Sequence, residues 1–174
     1  MYDFIDEKPY IEFHAGREVR KVSPSTWHAW IMLAMATVLR RAAGNRGRVG
    51  PEWHFDMSLQ LGTNTILVPD VAFVKVERLF GLSASYLQVP NFAPDIAVEI
   101  RAPSDRPGER EWKLDAYLAA GSELVLDISP ERRVVRALAP DEIERLYAAG
   151  QTFEHAAAPW LRFEVDEIFA DLTV

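Results

Sequence analysis

The chain contains no cysteine, which removes disulfide scaffolds, zinc ribbons, iron–sulfur clusters and thiol nucleophiles together. It has no apolar run long enough to span a bilayer. Met1–Lys8 carries three acids, Asp3, Asp6 and Glu7, the opposite of the positive start of a secretory signal. A cytoplasmic location without a membrane partner is the expectation. Positive charge is in short supply: 19 Lys and Arg face 26 Asp and Glu, for a net charge of −7. Such a balance argues against a protein whose main affinity is for phosphate backbones. The four histidines, at positions 14, 28, 54 and 155, form no HExxH and no pair at metal-ligand spacing, and they read as structural. There is no Walker loop and no GxGxxG. Gly81-Leu82-Ser83-Ala84-Ser85 misses the nucleophile elbow at its last position.

What is present fits one domain over residues 1–174, with 49% apolar residues, enough for a full core and too little for two. Charge is unevenly spread. Residues 141–174 hold eight acids against Arg145 and Arg162, whereas Thr37–Pro51 holds four arginines and no acid. Arg40 and Arg41 suit a helix C-terminus, whose dipole favours cations. Arg46 and Arg48 fall in a Gly-rich loop, where a phosphate contact is only weakly signalled.

Tyr10–Phe13 and Glu18–Val22 flank a polar turn with Gly16 and read as a β-hairpin. Ser23-Pro24 reads as an N-cap with Pro in the first turn, Thr26–Ala43 as a helix, and Gly44 as its C-terminal stop. Phe55, Met57, Leu59 and Leu61 alternate with polar residues, which predicts a half-buried strand. Thr65–Val74 reads as a strand interrupted at Pro69. Asp95–Arg101 reads as another, with Ile96, Val98 and Ile100 on one face and Ala97, Glu99 and Arg101 on the other. A helix follows from Pro107 to Ala120. Glu123–Ile128 and Val134–Leu138 form a hairpin pattern, Trp160–Val165 a last strand, and Asp166 caps a short C-terminal helix.

The chemistry-bearing signal is a pair of Pro-Asp dipeptides, Pro69-Asp70 and Pro94-Asp95, the second leading to Glu99. A carboxylate inside an apolar strand needs a partner or a metal. Glu99 alone fits a salt bridge to Arg101, or to a lysine on the next helix, as well as it fits a metal site. Asp70 alone reads as a turn carboxylate and Lys113 alone as a solvated helix residue. Together, two carboxylates on neighbouring strands and a basic group on the next element make a minimal site for a divalent cation, since Mg²⁺ keeps several waters. Such a site can polarise a phosphodiester and acidify a bound water.

These segments resemble a bacterial family described as putative restriction endonucleases, within the PD-(D/E)XK nuclease superfamily. The likeness covers most of the chain. It runs through Tyr10–Val19, Ser23-Pro24 and the helix bearing His28, VPDVAFV at 68–74, and PDIAVEIRAPSD at 94–105, the most specific stretch. Lys113, Tyr117 and Gly121 then fit the spacing of the family, and Leu124–Pro130 fits its late strand loosely. The resemblance implies a restriction-endonuclease-like α/β (α+β) fold, a mixed central sheet flanked by helices with an N-terminal hairpin. It also implies Asp70 and Glu99 as ligands for Mg²⁺ or Mn²⁺, and DNA as substrate. Glu12 resembles the accessory N-terminal carboxylate. Arg101 stands where the superfamily's lysine normally lies, and its guanidinium is too basic to act as a base. Lys113 would then supply the ammonium and Arg101 contact phosphate. Ala102 in place of the usual Ser, and Val125-Leu126 in place of Trp-Leu, depart from the pattern without removing a ligand.

The leading expectation is a Mg²⁺-dependent endonuclease that hydrolyses phosphodiester bonds in DNA, and cutting two strands suits a homodimer. The alternative is a fold-retaining, catalytically inactive binding or interaction module, suggested by the acidic balance and by Arg101. A glycoside hydrolase with two carboxylates is the weakest reading, because no aromatic platform adjoins the acids.

Overall fold

The structure, a computed structural model, describes residues 10–21 and 25–172. The expected cap at Ser23-Pro24 and the hairpin end at Val22 lie outside those residues. The fold is mixed α+β. Its centre is a six-stranded sheet built from β3 (Gly47–Pro51), β6 (Val71–Lys75), β7 (Ile96–Ile100), β8 (Leu124–Ser129), β9 (Val134–Leu138) and β10 (Arg145–Ala148), in the order β10-β9-β8-β7-β6-β3. Only β7 and β8 pair in parallel. A parallel pair needs a crossover, and α4 (Pro107–Ala119) provides it.

A second sheet of four strands has β1 (Ile11–His14), β2 (Arg17–Arg20), β4 (Phe55–Asp56) and β5 (Ile66–Leu67) in the order β2-β1-β5-β4. The hairpin turn places Ala15 and Gly16 at φ 50° and 89°, the left-handed pair that a two-residue turn requires. α1 (Thr26–Ala43) runs as the periodicity predicts, with Gly44 donating its N–H to the Arg40 carbonyl. Its N-cap is Ser25, whose hydroxyl accepts from the His28 N–H. Arg40 donates back to the Gly44 carbonyl at 2.9 Å, the helix-end role expected of it. Among the described residues no helix is long and apolar enough to cross a membrane.

Strand alternation divides the core. Val71 and Phe73 of β6, with Ile96, Val98 and Ile100 of β7, pack against Ile31, Met35 and Leu39 of α1. Burying each such side chain contributes about 1.5–3 kcal/mol. The opposite face carries Ala72, Val74, Ala97 and Val125 against Leu114 and Tyr117 of α4. Helices therefore cover both faces, and every residue of β6 before Lys75 and of β7 is buried. Glu99 sits on the α4 face, as its period predicts.

Four expectations need correction. Residues 55–61 are not one strand: pairing stops at Asp56, and Ser58–Leu61 form a helical turn, α2. The Asp56 carboxylate accepts the Ser58 N–H at 3.0 Å, a local turn that competes with the ladder, and Gly62 closes it at φ 69°. Leu59 consequently faces solvent. Trp160–Val165 is also not one strand. Only Phe163–Glu164 (β12) pairs, with Thr152–Phe153 (β11), in a separate ribbon. Asp166 lies inside the 3₁₀ turn Val165–Leu172 and accepts the Gly150 N–H at 2.7 Å instead of capping. Finally, the Gly-rich segment around Arg46 and Arg48 is not a loop throughout: Arg48 lies in the edge strand β3, and Arg46 immediately precedes it.

Gly47 explains why that strand can form. A Cβ there would lie 2.1 Å from the Val74 carbonyl oxygen and 2.6 Å from the Phe73 ring. The glycine is needed for the close approach of β3 to β6. Gly47→Ala is expected to cost about 1–3 kcal/mol by overpacking, read as a lowered urea midpoint.

Candidate active site

Pro69 marks the point where the chain leaves one sheet for the other: β5 ends at Leu67 and β6 begins at Val71. Asp70 stands in that break. The β6–β7 ladder runs from Phe73↔Ile96 to Val71↔Val98 and goes no further. The next inward N–H, that of Ile100, is taken by Asp70 Oδ2 at 2.7 Å. The strands part there, and a cavity of about 680 Å³ opens between the β1–β2 hairpin, α1 and the start of α4.

Its floor is a network of buried charges. Asp70 Oδ2 also meets His28 Nε2 from α1 at 3.1 Å, and Oδ1 lies 2.7 Å from Lys21 Nζ. Glu12, on the inward face of β1, accepts from the Val68 N–H and from Lys113 Nζ, both at 2.9 Å, and from His14 Nε2 at 2.8 Å. Lys113 reaches across from α4 to Glu99 Oε1 at 2.8 Å, and the Tyr117 hydroxyl donates to that same oxygen at 2.8 Å. Because an ionised carboxylate only accepts, His14 and His28 must present Nε2–H to their acids. His14 is further fixed by stacking on Trp112 at 4.9 Å.

The protonation states follow from the competition between burial and partners. Burial raises Asp70, but the Lys21 ammonium and the His28 hydrogen bond outweigh it and hold the acid well below the usual carboxylate range. Burial likewise opposes the ionisation of Glu12, yet Lys113 and His14 bring it from 4.5 down to about 2. Glu99 goes the other way. Burial dominates, Asp70 and Glu12 repel it, and the Lys113 and Lys21 ammonium groups, shared with those acids, do not offset this, so its pKa is raised. Lys21 and Lys113 are both raised, because nearby carboxylates overcome their burial. Tyr117 is pushed well up by burial and by Glu99, and stays a phenol.

Acid stability follows from these signs. The stabilisation that Glu12 gains from Lys113 is complete above 4.5 and drains away as the pH falls towards 2. Glu12→Gln is expected to flatten the acid limb of the stability curve, measured as urea midpoints between about pH 2 and 6.

Glu12, Asp70, Glu99 and Lys113 are thus brought together. Arg101 is not. β7 ends at Ile100, the Arg101 N–H bonds to the Ile128 carbonyl, and the guanidinium pairs with Asp127. Asp127 is the register partner of Glu99 across the parallel pair, so it offers Arg101 a buried counter-ion beside the strand. Arg110 Nε donates to Asp127 at 2.8 Å, and Arg136 stands 3.7 Å away. Arg46 and Arg48 do not line the cavity; Arg46 lies over the Trp160 ring instead. The residues missed in the sequence are Lys21, His14 and His28. Position gave some sign of His14, which is two residues from Glu12 and so shares its face. Lys21 has no such signal.

Among the described residues no three His, Asp or Glu side chains form a coordination shell. The donor set still suits Mg²⁺ or Mn²⁺, which take one or two carboxylates and keep waters. Three buried carboxylates face two ammonium groups, Glu99 is the one left short of positive charge, and Asp70 Oδ1 has no aligned hydrogen bond. Asp70 and Glu99 are the residues that would hold such a cation.

The fold matches the crystal structure of a putative nuclease belonging to DUF820 from Anabaena variabilis ATCC 29413, with a TM-score of 0.82 and 17% identity, over 94% of this chain and 92% of that one. Comparison with curated proteins gives no match. The family model that matches is Uma2, putative restriction endonuclease, and it spans residues 1–165. With hairpin, Pro-Asp strand and Asp-to-Glu strand all inside that span, the chain belongs to the Uma2 family of putative restriction endonucleases.

Proposed function

We propose that the protein is a divalent-metal-dependent endonuclease acting on DNA. The observation that carries this reading is the convergence of Asp70, Glu99 and Lys113 with Glu12 on the floor of one cavity. Mg²⁺ or Mn²⁺ held by Asp70 and Glu99 would supply a polarised phosphodiester and an acidified water. Lys113 stays protonated, so it acts as a fixed positive charge toward the developing phosphorane and not as a base. Glu12 holds that ammonium in place, and Tyr117 fixes the Glu99 carboxylate. Arg17 and Arg20 on the hairpin and Arg106 before α4 are exposed at the mouth, where they can meet the flanking phosphates despite the acidic total.

The test is nicking of supercoiled plasmid with Mg²⁺ or Mn²⁺, with EDTA and an identically purified Asp70→Asn variant beside it. Metal-dependent nicking that the variant lacks is the expected result. Equal nicking by both proteins would mean contamination and would sink the assignment. The second reading, an inactive binding module, draws on the ion pairing already present at every carboxylate of the floor. Plasmid retention without cleavage in either metal would favour it.

A further inference from the structure

The two lysines of the floor are held differently. Lys113 makes an aligned hydrogen bond to Glu12 while it pairs with Glu99, so it belongs to the frame. Lys21 gives its hydrogen bond to a neutral group, the Val68 carbonyl at 2.7 Å, and lies 2.7 Å from Asp70 Oδ1 without hydrogen-bond alignment. The other Asp70 oxygen is fully committed, to the Ile100 N–H and to His28. Oδ1 is therefore the oxygen that Asp70 can offer a ligand, and an ammonium stands on it.

We infer that Lys21 is a resident counter-ion at the metal position: a divalent cation and the Lys21 ammonium compete for Asp70 Oδ1, and binding of the cation moves Lys21 into the cavity. This rests on the metal-dependent reading above. An ammonium and a divalent cation cannot share one carboxylate oxygen without strong repulsion. With Lys21 absent, Asp70 would be a buried anion offset by His28, the Ile100 N–H and the more distant Lys113 ammonium, which is costly. Lys21 thus keeps the metal-free cluster folded and lowers its apparent affinity for metal. Its side chain lines the cavity wall, so leaving Asp70 requires no unfolding. Once displaced, the ammonium remains at the cavity wall, where a backbone phosphate of the substrate would be its new partner.

The test uses the full chain without DNA. Binding of Mn²⁺ is followed by loss of the free-ion EPR signal for wild type, Lys21→Met, Lys21→Gln and Asp70→Asn. Gln keeps a donor for the Val68 carbonyl and serves if the Met variant does not fold. The expected result is one Mn²⁺ site at least tenfold tighter in the uncharged Lys21 variants than in wild type, and absent in Asp70→Asn. Equal or weaker binding in the Lys21 variants would overturn the competition while leaving the metal site standing. No binding by any protein would overturn the competition and the metal-dependent reading together. Tighter binding in a protein that never nicks DNA would support the competition and refute only the nuclease.

Discussion

Glu99→Gln is expected to lower metal-dependent plasmid nicking at least about a thousandfold, equivalent to roughly 4 kcal/mol of lost transition-state stabilisation. The urea midpoint of the same variant should stay at the wild-type value or rise. The two outcomes come from one feature. Glu99 is a buried carboxylate with a raised pKa, facing Asp70 and Glu12 and sharing Lys113. Its charge is unfavourable to the fold. Glutamine keeps the shape and still accepts from the Tyr117 hydroxyl, while Lys113 keeps Glu12 as its counter-ion. The change therefore removes a charge that the fold tolerates and that a metal site needs. A variant that retains more than about a tenth of the activity, a loss of no more than roughly 1.4 kcal/mol, would take Glu99 out of the site.

The opposite profile is expected at Asp127. This carboxylate is 1% exposed and receives Arg101 and Arg110, with Arg136 close by. Asp127→Ala would remove the fully buried partner of Arg110 and leave that guanidinium with Asp105, 2.7 Å away and partly exposed, beside two more cations. Breaking a buried pair in this way costs about 3–5 kcal/mol, which chemical denaturation would register directly. Burial pushes Asp127 up, but hydrogen bonds from Arg101 and Arg110 outweigh it and bring its pKa below 3.8. Its contribution is thus complete above 3.8 and is lost as the pH falls through the lowered value. At neutral pH the variant should be strongly destabilised. As the solution is acidified, the gap between it and wild type should narrow. A loss below about 1 kcal/mol at pH 7 would show that the guanidinium groups find water or other acids at little cost.

The sequence disclosed what depends on neighbours along the chain. The helix over 26–43, the strand bearing Glu99 and the break at Pro69 follow from periodicity and from proline, and they point to Asp70 and Glu99 as the acids of the candidate site. Residues 55–61 misled because an alternating pattern was present and a side-chain turn at Asp56 overrode it. Arg101 stands apart from the cluster for a different reason. Its spacing from Glu99 matched the superfamily, but the strand ends one residue earlier and Asp127 draws the side chain aside. Lys21 and His28 could not be assigned from local pattern, since their partner Asp70 lies 49 and 42 positions away.

The side chain that ends the β6–β7 ladder gives the molecule an internal gauge. The Ile100 amide hydrogen is held by Asp70 Oδ2 and not by a strand carbonyl. Its exchange with solvent deuterium therefore measures how firmly that carboxylate is seated, not how firmly the sheet is paired. The neighbouring amides of β7, committed to strand partners, supply the reference. A ligand that pins Asp70 slows this one proton, and a change that loosens the aspartate releases it while the strands beside it stay shut.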